Sequence, residues 1–70
     1  MINTVAIKKL LIEHGTNASQ LAKEIGISSA SMYMKINGKR GMTLREAERI
    51  QEALHIPDSD FGYIFMSHIY

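Results

Sequence analysis

Cysteine and tryptophan are absent from this 70-residue chain, and proline occurs once. Without a thiol, no disulfide can cross-link the fold and no thiolate can bind a metal ion. No apolar run approaches the roughly 18 residues of a membrane-spanning helix, and the amino-terminal stretch lacks the pattern of a signal peptide. These absences predict a protein of the reducing cytoplasm with no membrane partner.

Side chains that would indicate an enzyme or a metal centre are scattered or missing. His14, His55 and His68 lie far apart and in unlike sequence contexts, which argues against a metal site. The serine cluster that begins at Ser28 has no nearby Asp–His pair to activate a nucleophile. Paired carboxylates, glycine-rich phosphate loops and cofactor motifs are also missing. The sequence therefore predicts no enzyme, no cofactor, no metal and no small-molecule substrate.

The net charge of +1 conceals a strong asymmetry along the chain. The segment 25–45 contains no acidic residue but four cations, which are Lys35, Lys39, Arg40 and Arg45. From residue 46 onward, the sequence contains five acidic side chains and a single arginine. A local basic surface in a nearly neutral protein indicates a polyanion site, although charge alone also allows a solvated basic face.

Apolar spacing and capping residues predict an all-α bundle of four or five short helices. The first is expected over about 4–14, capped by Asn3 and ended by Gly15. A second follows Asn17, whose spacing to Gln20 resembles a capping box. Gly26 should end that helix, because a left-handed residue costs least without a β-carbon. Its expected buried face consists of Leu21, Ala22 and Ile25.

A third helix should begin after Ser28 and run to about Ile36, with Met32 and Ile36 on its buried side. The opposite side is small, neutral and partly apolar, unlike an ordinary solvated helix. Another capping box, Thr43 with Glu46, predicts a fourth helix to about residue 54. Its expected buried stripe is Leu44, Ala47, Ile50 and Leu54.

The end of the chain is the least determined part. After Pro57, either Asp58 or Ser59 is expected to cap one last helical turn. The apolar residues 63–70 fit a strand, an arm or an additional helical turn equally well, because periodicity cannot decide over eight residues. We interpret residues 1–70 as a single domain in which residues 64–70 form either a dimerisation segment or a packing tail.

Two short helices joined by a glycine-containing turn form a helix-turn-helix. The chain resembles the phage Cro/repressor-type helix-turn-helix family, also called XRE-like or lambda-repressor-like. The resemblance covers about residues 4–58. It rests on Leu21-Ala22, Gly26-Ile27-Ser28, Met32, Asn37-Gly38-Lys39, Leu44, Ala47, Ile50, Leu54 and Ile56.

The resemblance implies that the third helix enters the major groove of duplex DNA. The matching base-facing positions are Ser28, Ser29, Ala30, Tyr33 and Met34. The matching phosphate-facing positions are Asn17, Ala18 through its backbone N–H, Asn37, Lys39 and Arg40. It further implies a small, Cro-like repressor that occupies operators in a bacterial host cell.

Two departures from the family pattern bear on this expectation. Many relatives carry Gln at the position of Ala18, and the base-facing set contains no side chain capable of bidentate base readout. Exposed Tyr33 and Met34 also suit a protein contact. The alternative is therefore an antirepressor that acts mainly by binding a partner repressor protein.

A homodimer is the other partner that the resemblance implies, because operators of such proteins are commonly two-fold. The candidates for a shared core are Phe61, Ile64, Phe65 and Ile69. The alternative is that this segment folds back and completes its own monomer.

Overall fold

The computed structural model describes residues 2–66, and over that range the chain forms five α-helices joined by short turns. They are α1 (Thr4–Glu13), α2 (Ala18–Ile25), α3 (Ser29–Ile36), α4 (Leu44–Ala53) and α5 (Asp58–Phe65). The predicted all-α bundle is confirmed, with the larger of the two predicted helix numbers. Among the described residues, no helix has the length and apolar character needed to cross a bilayer.

Side-chain caps determine where four of the helices begin. The side chains of Asn3, Asn17 and Ser28 accept hydrogen bonds from N–H groups three residues ahead, at 3.1, 2.9 and 3.1 Å. Thr43 and Glu46 form a complete capping box with bonds of 3.1 and 3.0 Å. Each cap satisfies an N–H group that the first helical turn leaves unpaired, and its loss typically costs ~1 kcal/mol.

The start of α5 differs from the sequence prediction. Pro57 precedes the helix and no side chain caps it, so the predicted cap at Asp58 or Ser59 is wrong. The Asp58 carboxylate instead accepts a 2.6 Å hydrogen bond from the Gln51 amide of α4. Asp58 and Asp60 lie in the first turn of α5, where negative charge is favoured by the helix dipole.

The end of α5 shows that part of the apolar tail is helical. The helix continues through residues 63–65, and both Ile64 and Phe65 are buried in the core of their own chain. Phe61 is partly buried against the same core. These three candidates therefore pack within the monomer, while Ile69 and the rest of residues 67–70 lie outside the described range.

The core is formed by side chains from all five helices. Met32 and Ile36, predicted to be buried, are 0% and 1% exposed. Ile7 and Leu11 of α1, Leu21, Ala22 and Ile25 of α2, and Ala47, Ile50 and Leu54 of the α4 region join them. Burial of each large apolar side chain contributes roughly 1.5–3 kcal/mol.

Leu44 is the exception to the predicted stripe of α4. Its side chain is 65% exposed, so its assignment to the core is wrong. Leu44 is the first residue of α4, and a helical side chain points back toward the helix start. Because α4 has no turn before Leu44, this side chain has no preceding turn of its own helix to pack on. It is therefore exposed although its spacing matches that of the buried residues of α4.

Helix ends are tied together by donors from other parts of the fold. The Thr4 hydroxyl donates to the Ile36 carbonyl at the end of α3, at 2.7 Å. An Arg49 guanidinium nitrogen donates to the Ile25 carbonyl at the end of α2, at 2.9 Å. These bonds satisfy carbonyls that have no partner within their own helix, and they fix the end of α2 against α4 and the end of α3 against α1.

Lys35 is held inside the fold by an ion pair between α3 and α4. Its buried ammonium donates to the Glu46 carboxylate at 2.7 Å and to the Gly41 carbonyl at 3.3 Å. The hydrogen bond from Lys35, followed by that from the Thr43 N–H, holds the pKa of Glu46 below its ordinary value of 4.5. Ionised Glu46 therefore stabilises both the α3–α4 contact and the start of α4.

We predict that Glu46→Gln removes part of the acid sensitivity of the fold. Because the folded-state pKa of Glu46 is lowered, the unfolded chain binds the proton more readily. The stabilisation is therefore present above about pH 4.5 and is lost as the pH falls below it. Urea unfolding of both proteins between pH 7 and pH 3 should show the variant less stable at pH 7, with the difference shrinking on acidification.

Glu48→Gln is the matched control, because Glu48 is exposed on the same helix and pairs with no cation among residues 2–66. It should retain the acid sensitivity that Glu46 confers. A stability difference between Glu46→Gln and the parent protein that stays constant with pH would contradict the assigned role.

Candidate nucleic-acid interface

A three-residue turn, Gly26 to Ser28, joins α2 to α3. Gly26 adopts a left-handed conformation with φ of 82°, and its N–H donates to the Ala22 carbonyl at 2.9 Å. The Ile27 N–H donates to the same carbonyl at 3.0 Å. Ser28 then caps α3, as predicted. The small side chain of Ala22 is buried, as predicted.

A contact between two hydroxyl groups aligns the starts of these helices. The Ser19 and Ser29 oxygens lie 2.9 Å apart, and both residues are exposed. Ser29 belongs to the predicted base-facing set, whereas Ser19 was not singled out from the sequence. The contact spans ten residues and depends on the conformation of the intervening turn, so no local pattern indicates it.

The predicted base-facing residues lie at the start of α3 and along its exposed side. All five residues are exposed, and Tyr33 and Met34 are 51% and 39% accessible. The opposite side of α3 holds Met32, Lys35 and Ile36 in the interior. Ser28 and Ser29 are therefore exposed at the start of α3, and the solvent-facing side of the helix carries Ala30, Tyr33 and Met34.

The predicted phosphate-facing residues of α2 lie at its amino-terminal end. Asn17 is exposed, and its side-chain oxygen is occupied by the Gln20 N–H. Its amide NH₂ group keeps donor capacity. The side chain of Ala18 is buried, so this residue offers only its backbone N–H, which has no acceptor within the helix.

The other phosphate-facing residues follow the end of α3. Asn37, Lys39 and Arg40 are exposed. One Asn37 amide hydrogen bonds the Tyr33 carbonyl at 2.8 Å. An Arg40 guanidinium nitrogen lies 3.4 Å from the Ser31 hydroxyl. This contact brings the Arg40 charge alongside the outward surface of α3, nearer to the base-facing residues than its position in the sequence implies.

The burial of Lys35 corrects the sequence-level charge argument. Lys35 was counted among four cations of the basic segment, but its charge is paired with Glu46 inside the fold. The exposed cations of the segment are Lys39, Arg40 and Arg45. The basic surface is therefore smaller than predicted, with Lys39 and Arg40 just beyond the end of α3 and Arg45 in the first turn of α4.

His14 and His55 correct another expectation, that the histidines are far apart. Their ring centroids are 6.2 Å apart, because His14 ends α1 and His55 follows the end of α4 at the same surface. Within residues 2–66, no group of three or more His, Cys, Asp or Glu side chains is placed to hold a metal ion. His68 lies outside the described residues.

These features define a helix-turn-helix domain: five helices, a glycine turn between α2 and α3, and a solvent-exposed outward side of α3. A family model described as the Cro/C1-type HTH DNA-binding domain matches residues 6–61. The chain belongs to this family, and the resemblance predicted from the sequence is confirmed. Searches of curated proteins and of solved structures found no significant match. Family membership identifies the protein as a DNA-binding transcription regulator.

We predict that Gly26→Ala destabilises the fold by about 1–2 kcal/mol, the usual cost of a left-handed conformation for a residue with a β-carbon. The nearest atom to an added β-carbon is an Arg49 nitrogen at 4.0 Å, so the cost arises from the backbone and not from a clash. Denaturant unfolding should measure it. Gly41→Ala, whose added β-carbon meets no atom within 4 Å, is the control and should change stability little. Equal losses in both variants would contradict this account of the turn.

Proposed function

We propose that the protein is a small, Cro-like phage repressor that occupies operator sites in duplex DNA within a bacterial host cell. Occupancy would exclude polymerase or a competing repressor. The observation that supports this most strongly is the outward side of α3, which is exposed, uncharged and bordered by the cations of Lys39 and Arg40.

Base recognition in this proposal depends on short and apolar side chains. The Ser28 hydroxyl accepts the capping bond from Ser31 but keeps its own hydrogen for a base edge. Ala30, Tyr33 and Met34 suit contact with thymine methyl groups in the major groove. Because bidentate pairs are missing from this set, DNA shape contributes to operator choice.

Phosphate contacts would come from both ends of the surface. Asn17 and the first N–H groups of α2, including that of Ala18, suit phosphate oxygens on one side. Asn37, Lys39 and Arg40 suit phosphates on the other side, where each neutralised phosphate releases condensed counterions. A homodimer would place two such surfaces about one turn of DNA apart.

We predict that Lys39→Ala weakens binding to all duplex sequences alike and makes the salt dependence shallower. The slope of log K against log salt should fall in magnitude by about 0.9, the value for one phosphate contact. Fluorescence anisotropy with a labelled duplex at several salt concentrations measures this. Lys8→Ala, an exposed lysine on α1, is the matched control and should keep the parent slope. An unchanged slope for Lys39→Ala would show that the proposed docking is wrong.

We predict that Met34→Ala changes which operators are preferred. Loss of an apolar contact with a thymine methyl should relax selection at one base position while general affinity for DNA is kept. Selection of bound duplexes from a random pool, with parent and variant in parallel, measures this and also reveals the operator. Ile12→Ala removes an exposed apolar side chain from α1 and should leave the selected sequence unchanged. Identical sequences from Met34→Ala and the parent would remove Met34 from the base-facing set.

The exposure of Tyr33 and Met34 also supports a second candidate function, in which the protein acts mainly as an antirepressor on a partner repressor protein. The two functions differ in their response to salt. DNA binding by this surface weakens steeply as salt rises, whereas a mainly apolar protein contact persists. A complex with a repressor that survives high salt, together with no shift on duplex DNA, would favour the antirepressor.

A further inference from the structure

A groove of about 530 Å³ is lined by the start of α4, by α5 and by the turn that follows α3. The rings of Phe61 and Phe65 line it, with their centroids 4.8 Å apart. The side chains of Leu44 and Met66 also line it and are 65% and 43% exposed. Apolar side chains grouped on one surface often indicate a contact with another molecule, and the proposed DNA contact uses none of these four.

The unpaired charges of this groove are of one sign. Lys39 and Arg40 line it, and neither forms an ion pair within residues 2–66. Lys35 also lines it, but the Glu46 carboxylate neutralises its ammonium at 2.7 Å. No acidic side chain of the described range lines the groove. The groove therefore presents an apolar surface beside two unpaired cations.

This combination distinguishes between possible occupants. A DNA backbone would satisfy the cations but would leave Leu44 and the aromatic rings without apolar contacts. A second copy of the chain, seated groove to groove, would bring like charges together. A partner that is acidic and has an apolar side satisfies both features of the groove.

An α-helix is the form of partner that the fold favours. Residues 2–66 contain no strand, so they offer no sheet edge to which an extended peptide could add. An amphipathic helix instead places apolar residues at i, i+3, i+4 and i+7 in an apolar groove. We propose that the groove binds an acidic amphipathic helix of a partner protein, with its apolar side on Leu44 and Phe61 and its carboxylates beside Lys39 and Arg40.

Such a partner would compete with DNA for the same cations. Arg40 lines the groove, and its guanidinium also lies 3.4 Å from the Ser31 hydroxyl of α3, so this side chain lies between the groove and the DNA-facing surface. A cation that pairs with a carboxylate no longer neutralises a phosphate. The partner would therefore release the protein from its operators. This consequence rests on the proposed function, whereas the docking itself does not.

A peptide selection with the full chain and no DNA tests the docking. The probe is a displayed library of random peptides of about 16 residues, roughly four helical turns. Enriched sequences should carry apolar residues at helical spacing and an excess of Asp and Glu. The most enriched peptide, synthesised with a fluorescent label, should bind the parent protein saturably in anisotropy measurements.

Leu44→Ala is the decisive variant, because this side chain is exposed and belongs to the groove alone. It should weaken peptide binding by about fivefold or more and keep the parent affinity for duplex DNA. Ile12→Ala removes an exposed apolar side chain from α1 and is the matched control, with parent affinity for the peptide. Unlabelled peptide should displace a labelled duplex from the parent and should do so less effectively from Leu44→Ala.

Enrichment of neutral or basic peptides, or equal peptide binding by Leu44→Ala and the parent, would overturn the docking. A lower sedimentation mass for peptide-free Leu44→Ala than for the parent would place a second copy in the groove and would overturn it as well. A peptide that binds without displacing the duplex would overturn the competition. Failure of the proposed function is distinguishable, because it would appear as the absence of duplex binding by the parent while the peptide still binds.

Discussion

Burial of Met32 and Ile36 fixes the position of α3, and the outward surface depends on it. A helix of eight residues is not stable alone in water, so packing of its apolar side has to hold it in place. Both side chains are essentially inaccessible to solvent. Because one side of α3 is locked into the core, the residues on the other side are presented to solvent in a defined arrangement instead of an ensemble.

Hydrogen bonds and an ion pair at the helix ends stabilise the arrangement of the helices in addition to apolar packing. Short helices have a large share of N–H and C=O groups without a partner in their own helix. Here Thr4 and Arg49 donate to the last carbonyls of α3 and α2, and Lys35 joins α3 to the start of α4. These bonds link the helix-turn-helix to both α1 and α4. The charge of Lys35, which the sequence assigned to the basic surface, is therefore used in the ion pair with Glu46.

Charge is distributed differently on two surfaces of the fold. Beyond the end of α3, Lys39 and Arg40 are exposed and attract a polyanion. Between α1 and α5, Lys9 lines one groove together with Glu13 and Asp60, so charges of both signs lie there.

Local sequence patterns were enough to predict the helix starts at Asn3, Asn17, Ser28 and Thr43, the turn at Gly26 and the burial of Met32 and Ile36. Caps, left-handed glycines and helical periodicity are local, because they depend on residues within about one turn of each other. Helix packing was needed to reveal the ion pair of Lys35, the exposure of Leu44, the Ser19–Ser29 contact and the burial of Ile64. The contacts depend on which helices become neighbours, since the groups that meet are distant in the chain. Leu44 is exposed because no neighbouring element covers its side chain. Fold and turn were therefore predictable from pattern, whereas the pairing of charges and the limits of the exposed surface arose from packing.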